Sequence, residues 1–429
     1  MAGSVPSTRQ DIHPQRTFRA FANRGYVCLW LANFLLYTSR WMQMTLLAWL
    51  ILDLTDSPLL VALVGFFSSA PMFLLGLVGG ILADRVHHQR LLSISQGTNV
   101  MSSFLLMLLL STGVVQVWHA YLAILITGAC WALDTPSRRA LIFDLLGVEG
   151  VTNALALDAV GMNASRMCGP ALAGVLITLR GVQWGYMVIT LFCSIAWALL
   201  WSLRMTQERR PERRQQGVVR NLLDGFHYVR GNQTIKVTLC ITVVMNVLLF
   251  PYVQMVPIMA RDVLHVDAAL MGALQAAEGL GALVGALLIA SAMQMHYHGR
   301  VFLGGSLLAL VGLCVFSISR WYILSLPALF FLGLGTAGFG AMQSTLVMLA
   351  AREEMRGRAL GVLSLAIGTG PFGSLLMGAT ASAVHPVFAM RMHALLGIVS
   401  LACIMVWMPS FTARTQPVQV SPIPPQARS

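Results

Sequence analysis

Four ionisable side chains, Arg40, Asp158, Arg166 and Glu278, interrupt stretches of sequence that are otherwise almost wholly apolar. A charge in an apolar medium costs several kcal/mol unless it is paired or hydrated, so such residues mark proton relays, ion paths or substrate contacts. Arg166 lies about fifteen residues into one apolar stretch, and Glu278 about ten residues into another that runs the opposite way. The two therefore sit at similar depth, and the spacing predicts that they pair, directly or through water, in at least one state. A proton added to Glu278 would break the pair and tie proton uptake to a movement. Asp158 stands where it can take up protons or pair with an arginine of the preceding stretch. Arg40, near the middle of the first stretch, can meet an anionic group of a substrate or a structural carboxylate. Asp134 precedes Arg138 by four residues, which puts both on one helix face as a structural pair.

The elements that position these charges must lie in lipid. Hydrophobic residues make up 57% of the 429 residues and charged residues only 10%, with a mean hydropathy of +0.74. Soluble domains carry about 25% charged residues, so the solvent for most of this chain is a bilayer. A spanning helix needs about 20 apolar residues. The apolar runs predict twelve of them, at 25–52, 57–82, 90–112, 118–138, 151–179, 183–203, 236–260, 268–293, 301–319, 322–349, 358–383 and 388–408. Their 3.6-residue periodicity is weak because they are apolar all round. The net charge of +12 does not point to nucleic acid, since the positives fall between apolar spans and not on one soluble face. The seven cysteines are scattered, with no CxxC and no Cys/His cluster, so neither a metal nor a disulfide framework is expected. There is no phosphate loop and no nucleophile–base set, so no cofactor and no enzymatic activity are expected.

Basic residues set the orientation. With both termini cytoplasmic, 22 of the 28 Lys and Arg residues fall on the inner side, and 4 (Arg180, Arg261, Arg320 and Arg391) on the outer side. The reading is a cytoplasmic tail over 1–24, a six-helix bundle over 25–203, a cytoplasmic linker over 204–235, a second six-helix bundle over 236–408 and a disordered cytoplasmic tail over 409–429. The linker reads as a tether with a surface helix at 218–230; a lipid-binding role for its arginines is the alternative. NALALDAVGMNASRMCGPALAGVLIT in the fifth span echoes RALGVLSLAIGTGPFGSLLMGATAS in the eleventh. A repeated helix in six-plus-six halves predicts two pseudo-symmetric bundles with a substrate site between them near the midplane.

The sharpest local motif joins the second and third spans: Gly80-Ile-Leu-Ala-Asp84-Arg85, followed by His87, His88, Gln89 and Arg90. Gly80 permits close helix approach, Asp84 can accept from a helix N-terminus of the other half, and Arg85 and Arg90 can meet carboxylates or lipid phosphates. This segment resembles the loop 2–3 signature of the major facilitator superfamily. AWLILDLTDSPLLVALVGFFSSAPMFLLGLVGGILADR, ALDTPSRRALIFDLL, NALALD, GPALAGVL and EMRGRALGVLSLAIGTGPFGSLLMG resemble its enterobactin-exporter-like and drug efflux subgroup. The resemblance covers roughly residues 20–410. Gly169, Pro170 and Gly174 match the core of the fifth-span motif associated with antiporters, with Ala173 in place of one glycine.

The resemblance implies an all-α membrane protein of the major facilitator fold, working by alternating access of two six-helix halves. It implies export of small molecules, drug-like compounds or siderophore-type metabolites, from a monomer in a bacterial inner membrane, with protons and the lipid bilayer as partners. Uptake of a metabolite, and a non-transporting sensor on the same fold, are the alternatives. The central cavity is expected among spans 1, 4, 7 and 10, with Asn33, Tyr37, Arg40, Asn246, Tyr252, Gln254 and Gln343 on its wall. Topology reporters check the orientation: a fluorescent protein inserted in the linker is expected to fluoresce, and alkaline phosphatase fused after Gly113 or Gly181 to be active. The reverse pattern overturns it.

Overall fold

The computed structural model describes residues 19–85, 88–203, 218–291, 297–408 and 411, without the side chains of 19, 76–85, 88, 148, 149 and 218–222. These residues are almost entirely helical. The helices in chain order are α1 (Arg24–Thr55), α2 (Pro58–Arg85), α3 (His88–Ser111), α4 (Val117–Gly147), α5 (148–180), α6 (Val182–Ser202), α7 (Val218–Gly231), α8 (Gln233–Val263), α9 (Ala268–Ser291), α10 (His298–Ile318), α11 (Tyr322–Ala350), α12 (Glu353–Ala383) and α13 (Pro386–Trp407).

Among the described residues ten helices are long and apolar enough to cross a membrane. The expected count of twelve is reached only by adding α1 and α5. α1 has 32 residues, but Asn33, Arg40 and Gln43 dilute its hydropathy. α5 is diluted by Asp158 and Arg166. The two helices that fall short of plain apolarity carry Arg40, Asp158 and Arg166.

Local chemistry fixes the helix ends. Asn23 caps α1 by accepting from the backbone N–H groups of Gly25 and Tyr26, and Asn232 caps α8 by accepting from Ile235. α4 and α5 run on continuously except at Gly147, whose φ of +64° is open to glycine and bends the chain there. α8 is irregular. π turns at Met245–Leu249 and Met259–Val263 flank a 3-10 turn at Phe250–Met255, with Pro251 and Pro257 removing backbone donors. α12 breaks at Gly368 and Thr369, ahead of Pro371.

α1 packs on α5 and α6, α3 on α4 and α6, α9 on α11, and α10 on α11 and α13. The seams use backbone acceptors near helix bends: Tyr26 donates to Ala154 O at 2.7 Å, and Trp30 to Leu157 O at 2.9 Å. α7 lies in the stretch read as a linker and packs on α12. Its Asp224 pairs with Arg358 at 3.5 Å, and Tyr228 OH accepts from the Arg352 N–H at 3.0 Å. We call the end of the molecule near α7 the linker end, and the opposite one the far end. Exposed Trp118, Trp184 and Trp321 stand at the far end, and exposed Trp201 and Trp407 at the linker end. Tryptophan at both ends of a bundle is the pattern of anchoring at two lipid–water interfaces.

One close crossing joins α5 to α9. A Cβ on Gly174 would meet Ala268 O and the backbone of Gly272, and one on Gly272 would meet Pro170 O. Small residues let membrane helices approach backbone to backbone, where dispersion takes the place of the hydrophobic effect. Gly174→Val is expected to lower the Tm of the purified protein by several degrees, whereas Gly304→Val, where a Cβ meets nothing, leaves it unchanged. Equal Tm values for the two variants would show that this crossing is loose.

Candidate functional site

Arg166 of α5 and Glu278 of α9 form an ion pair across that crossing. Glu278 is 4% exposed. The two stand at one depth, as expected, and Gly279 abuts the backbone of Arg166 and Met167, which brings α5 and α9 together beside the pair. The Arg166 guanidinium also lies over the Trp41 ring, 5.3 Å from its centroid. One turn toward the far end, the Thr45 hydroxyl of α1 donates to Gln275 Oε1 at 2.6 Å. A small cavity beside the pair is lined by Trp41, Tyr252, Gln275 and Leu329 among others, and it admits water but no drug-sized ligand. Tyr252, expected on a substrate wall, sits here next to the ion pair.

Helices before residue 203 and after residue 233 also meet at the far end. Arg261 of α8 pairs with Asp56 at 2.7 Å and donates to Leu52 O at 3.3 Å. Asp56 is the left-handed C-cap of α1, with φ +50°. The Leu59 N–H donates to Ser382 Oγ at 3.1 Å, and the Ala269 N–H to Thr178 Oγ1 at 2.9 Å. α2 lies on α12, where a Cβ on Gly378 would meet Ala62. These contacts close the far end. Toward the linker end the next glycines of α9, Gly281 and Gly285, abut α11.

A second polar cluster lies inside the first six helices. Asp158 Oδ1 accepts from Asn33 at 2.9 Å, and Asp158 Oδ2 from Tyr37 at 3.1 Å. The Asn33 carbonyl accepts from Arg138. Arg138 also pairs with Asp134 at 3.2 Å, the i, i+4 pair expected from spacing. Asp158 thus reaches an α4 arginine through an amide and not by direct contact. Tyr37, expected on a substrate wall, is committed to Asp158, and Asn33, expected there too, to Asp158 and Arg138. Arg40 donates to Ser68 at 3.3 Å and stacks on Trp131 at 4.6 Å. It lines a cavity enclosed by α1, α3, α4 and α6, not one between the two halves.

The remaining expected wall residues are divided. Gln343 donates to the Thr242 hydroxyl at 2.9 Å, and Asn246 to Thr242 O at 2.9 Å, both within the second set of helices. Gln254 lies against α2, where a Cβ on Gly65 would touch it. Gly169 abuts Trp41 and Thr38 O of α1, while Pro170 and Gly174 face α9, so the fifth-span motif is a packing surface on two sides. Gly80, Asp84 and Arg85 close α2, but their side chains lie outside the described residues, as do His87 and His296. Arg90 is exposed on α3. The tails and most of the basic linker also lie outside the described residues. Sequence reasoning missed Thr45–Gln275 and Arg261–Asp56. Gln275 lies three residues before Glu278 on the same helix face, which was the available signal; Arg261 reads only as an outer-side positive.

The family model for transmembrane secretion effectors matches residues 15–427. The Staphyloferrin A transporter of Staphylococcus aureus (strain NCTC 8325 / PS 47) is 23% identical over 385 residues, covering 88% of this chain and 94% of that protein. The enterobactin exporter EntS of Shigella flexneri is 25% identical over 343 residues, covering 78% and 79%. Among solved structures, the nucleoside transporter NupG superposes with a TM-score of 0.69 at 14% identity, covering 89% of this chain and 99% of that one. A peptide transporter of the POT type superposes with a TM-score of 0.73 at 12% identity, covering 94% and 99%.

Removing one member of a buried ion pair strands the other, at about 3–5 kcal/mol. A stranded carboxylate can still take up a proton, whereas a guanidinium stays charged. Glu278→Ala is therefore expected to lower the Tm more than Arg166→Ala, and joint Arg166→Gln and Glu278→Gln to recover most of the loss. A double variant as unstable as Glu278→Ala would show that the pair contributes through shape and not charge.

Proposed function

Because the chain belongs to the transmembrane secretion effector family of the major facilitator superfamily, and so to a family of multi-pass membrane transporters, we propose that it exports small molecules from the cytoplasm by proton-coupled alternating access. The substrates we assign are siderophore-type metabolites or drug-like compounds. Two relatives carry the siderophore names Staphyloferrin A and enterobactin, and the latter is an exporter. The observation that carries the reading is the Arg166–Glu278 pair, set between α5 and α9.

In this reading the halves are residues 25–203 and 236–408, the linker end faces the cytoplasm of a bacterial cell, and the protein works as a monomer. The excess of basic residues at that end supports the orientation. Far-end contacts such as Arg261–Asp56 and Leu59–Ser382 hold the outward gate shut while substrate enters between α5 and α9 from the linker end. A proton on Glu278 removes one charge of the pair and leaves Arg166 free to meet an anionic group. The energy that held the crossing is then available to a different arrangement of the halves. Asn246, Gln254 and Gln343 line the path only after such a rearrangement, since here each is packed within or between helices. The cytoplasmic loop of Gly80, Asp84, Arg85 and Arg90 would latch the opposite, outward-open state.

Inside-out vesicles test this reading. An imposed pH gradient, acid inside, is expected to drive uptake of a catecholate or hydroxycarboxylate siderophore or of a fluorescent dye. Glu278→Gln is expected to cut the gradient-driven component at least tenfold. Undiminished gradient-driven uptake by Glu278→Gln would remove Glu278 from the coupling. Absence of uptake of every compound in a broad panel by the unaltered protein would overturn export.

A further inference from the structure

We infer that Asp134, buried inside the first six helices, is a second proton-binding site, coupled to Asp158 through a guanidinium and an amide that the two carboxyls share. The inference deepens the proton-coupled reading above and rests on it for its purpose, but not for its geometry.

Asp134 is 2% exposed, on α4, and its two oxygens are treated unequally. Oδ2 accepts from Gln96 at 2.5 Å and from Arg138 at 3.2 Å. Oδ1 is buried and makes no close hydrogen bond; the Ser95 hydroxyl, which also makes none, is the protein group beside it. A structural ion pair in an apolar interior is stable when the lone pairs of both oxygens are satisfied. One oxygen saturated and the other without a close donor fits a carboxylic acid, whose O–H lies on that side and can be accepted by a water or by the Ser95 hydroxyl. Space for that water exists. Asp134 lines the cavity that also holds Arg40, Gln43, Asn99 and Trp131, and the cavity has room for a few waters. Arg40 NH1, buried and without a partner, belongs to the same cavity and can donate to the same water.

The coupling follows from Arg138. One of its nitrogens meets Asp134, and another meets the Asn33 carbonyl. Asn33 turns its amide donor to Asp158 at 2.9 Å. The amide has one acceptor end and one donor end, so it relays the pull of a single cation from one carboxylate to the other. Neutralising either carboxyl leaves Arg138 more fully committed to the other, so the protons bound by the two are not independent. The remaining groups that face Asp134 are few. α1 presents Arg40 and, beyond Asn33, Tyr37; α6 presents Cys193; α3 presents the uncharged Ser95, Gln96 and Asn99; and Cys130 lies one turn back on α4 itself. The step needs no partner other than water: one O–H bond forms on Asp134, a hydronium becomes water, and Arg138 keeps its charge throughout.

Infrared difference spectroscopy against pH, on the purified protein in phospholipid vesicles, tests the site. The unaltered protein is expected to show carboxylic-acid C=O bands, and Asp134→Asn to lose one of them. In Asp158→Asn the midpoint of the Asp134 band is expected to move, and in Asp134→Asn that of the Asp158 band. Gln96→Leu keeps the carboxyl and removes one donor; it is expected to move the same midpoint in a folded protein should Asp134→Asn misfold. The pH profile of gradient-driven uptake is expected to shift with Asp134→Asn. Unchanged bands in Asp134→Asn, or midpoints in Gln96→Leu and Asp158→Asn that stay in place, would overturn the inference. An unaltered protein that shows the bands but no gradient-driven uptake would instead overturn the exporter reading and leave the site standing.

Discussion

Charges in lipid have no water to fall back on, and this constraint organises the protein. Arg166 and Glu278 sit in the middle of the bundle as each other's counter-charge. That requires α5 and α9 to cross at backbone distance, which in turn requires Gly174, Gly272 and Gly279 at the crossing. The crossing then places α1 and α8 against one another, so Thr45, Tyr252 and Gln275 come to surround the pair. An ion pair of this kind adds little to stability over a well-packed apolar substitute. In the proposed cycle its value is that it distinguishes two states of charge, and so two arrangements of the helices that carry it.

The two polar centres have different characters. The Arg166–Glu278 pair bridges the first and second sets of helices and holds few partners besides each other. The cluster of Asp134, Arg138, Asn33, Tyr37 and Asp158 is confined to the first set, with each carboxyl tied to several donors. A sparse pair at a seam is easily exchanged for another contact. A dense network inside a bundle moves as one piece with it. Both belong to the helices, α1 and α5 above all, whose composition is least like that of an ordinary membrane span.

Much of this was legible in the residues. Long apolar runs marked most helices to within a few positions, because a span in lipid has few alternatives to a helix; α4 runs on to Gly147, well past the expected end at 138. The Arg166–Glu278 pairing was legible because depth along a straight helix can be counted, and two unsatisfied charges at one depth have every reason to meet. Asp134 with Arg138 followed from helical spacing. The placement of Arg40 was not legible. Depth is countable but azimuth is not, in a helix apolar on all sides, and Arg40 turned into its own bundle toward Trp131. Asn33 and Tyr37 read as wall residues for the same reason; their commitment to Asp158 depends on which face of α1 meets α5. The far-end pair of Arg261 with Asp56 joins residues more than two hundred positions apart, and no local pattern announces it.

The uneven winding of α8 has a mechanical meaning. A π turn stores one more residue than an α turn of the same height. Each residue of an α-helix turns the chain by about 100°. Converting either π turn of α8 to regular winding would hand that residue on to the next segment and spin it by about that angle. The segment between the two π turns carries Tyr252 and Gln254, which touch the ion pair and α2. Two such dislocations at opposite ends allow the stretch between them to rotate like a key in a lock, while both ends of the helix stay anchored where they are.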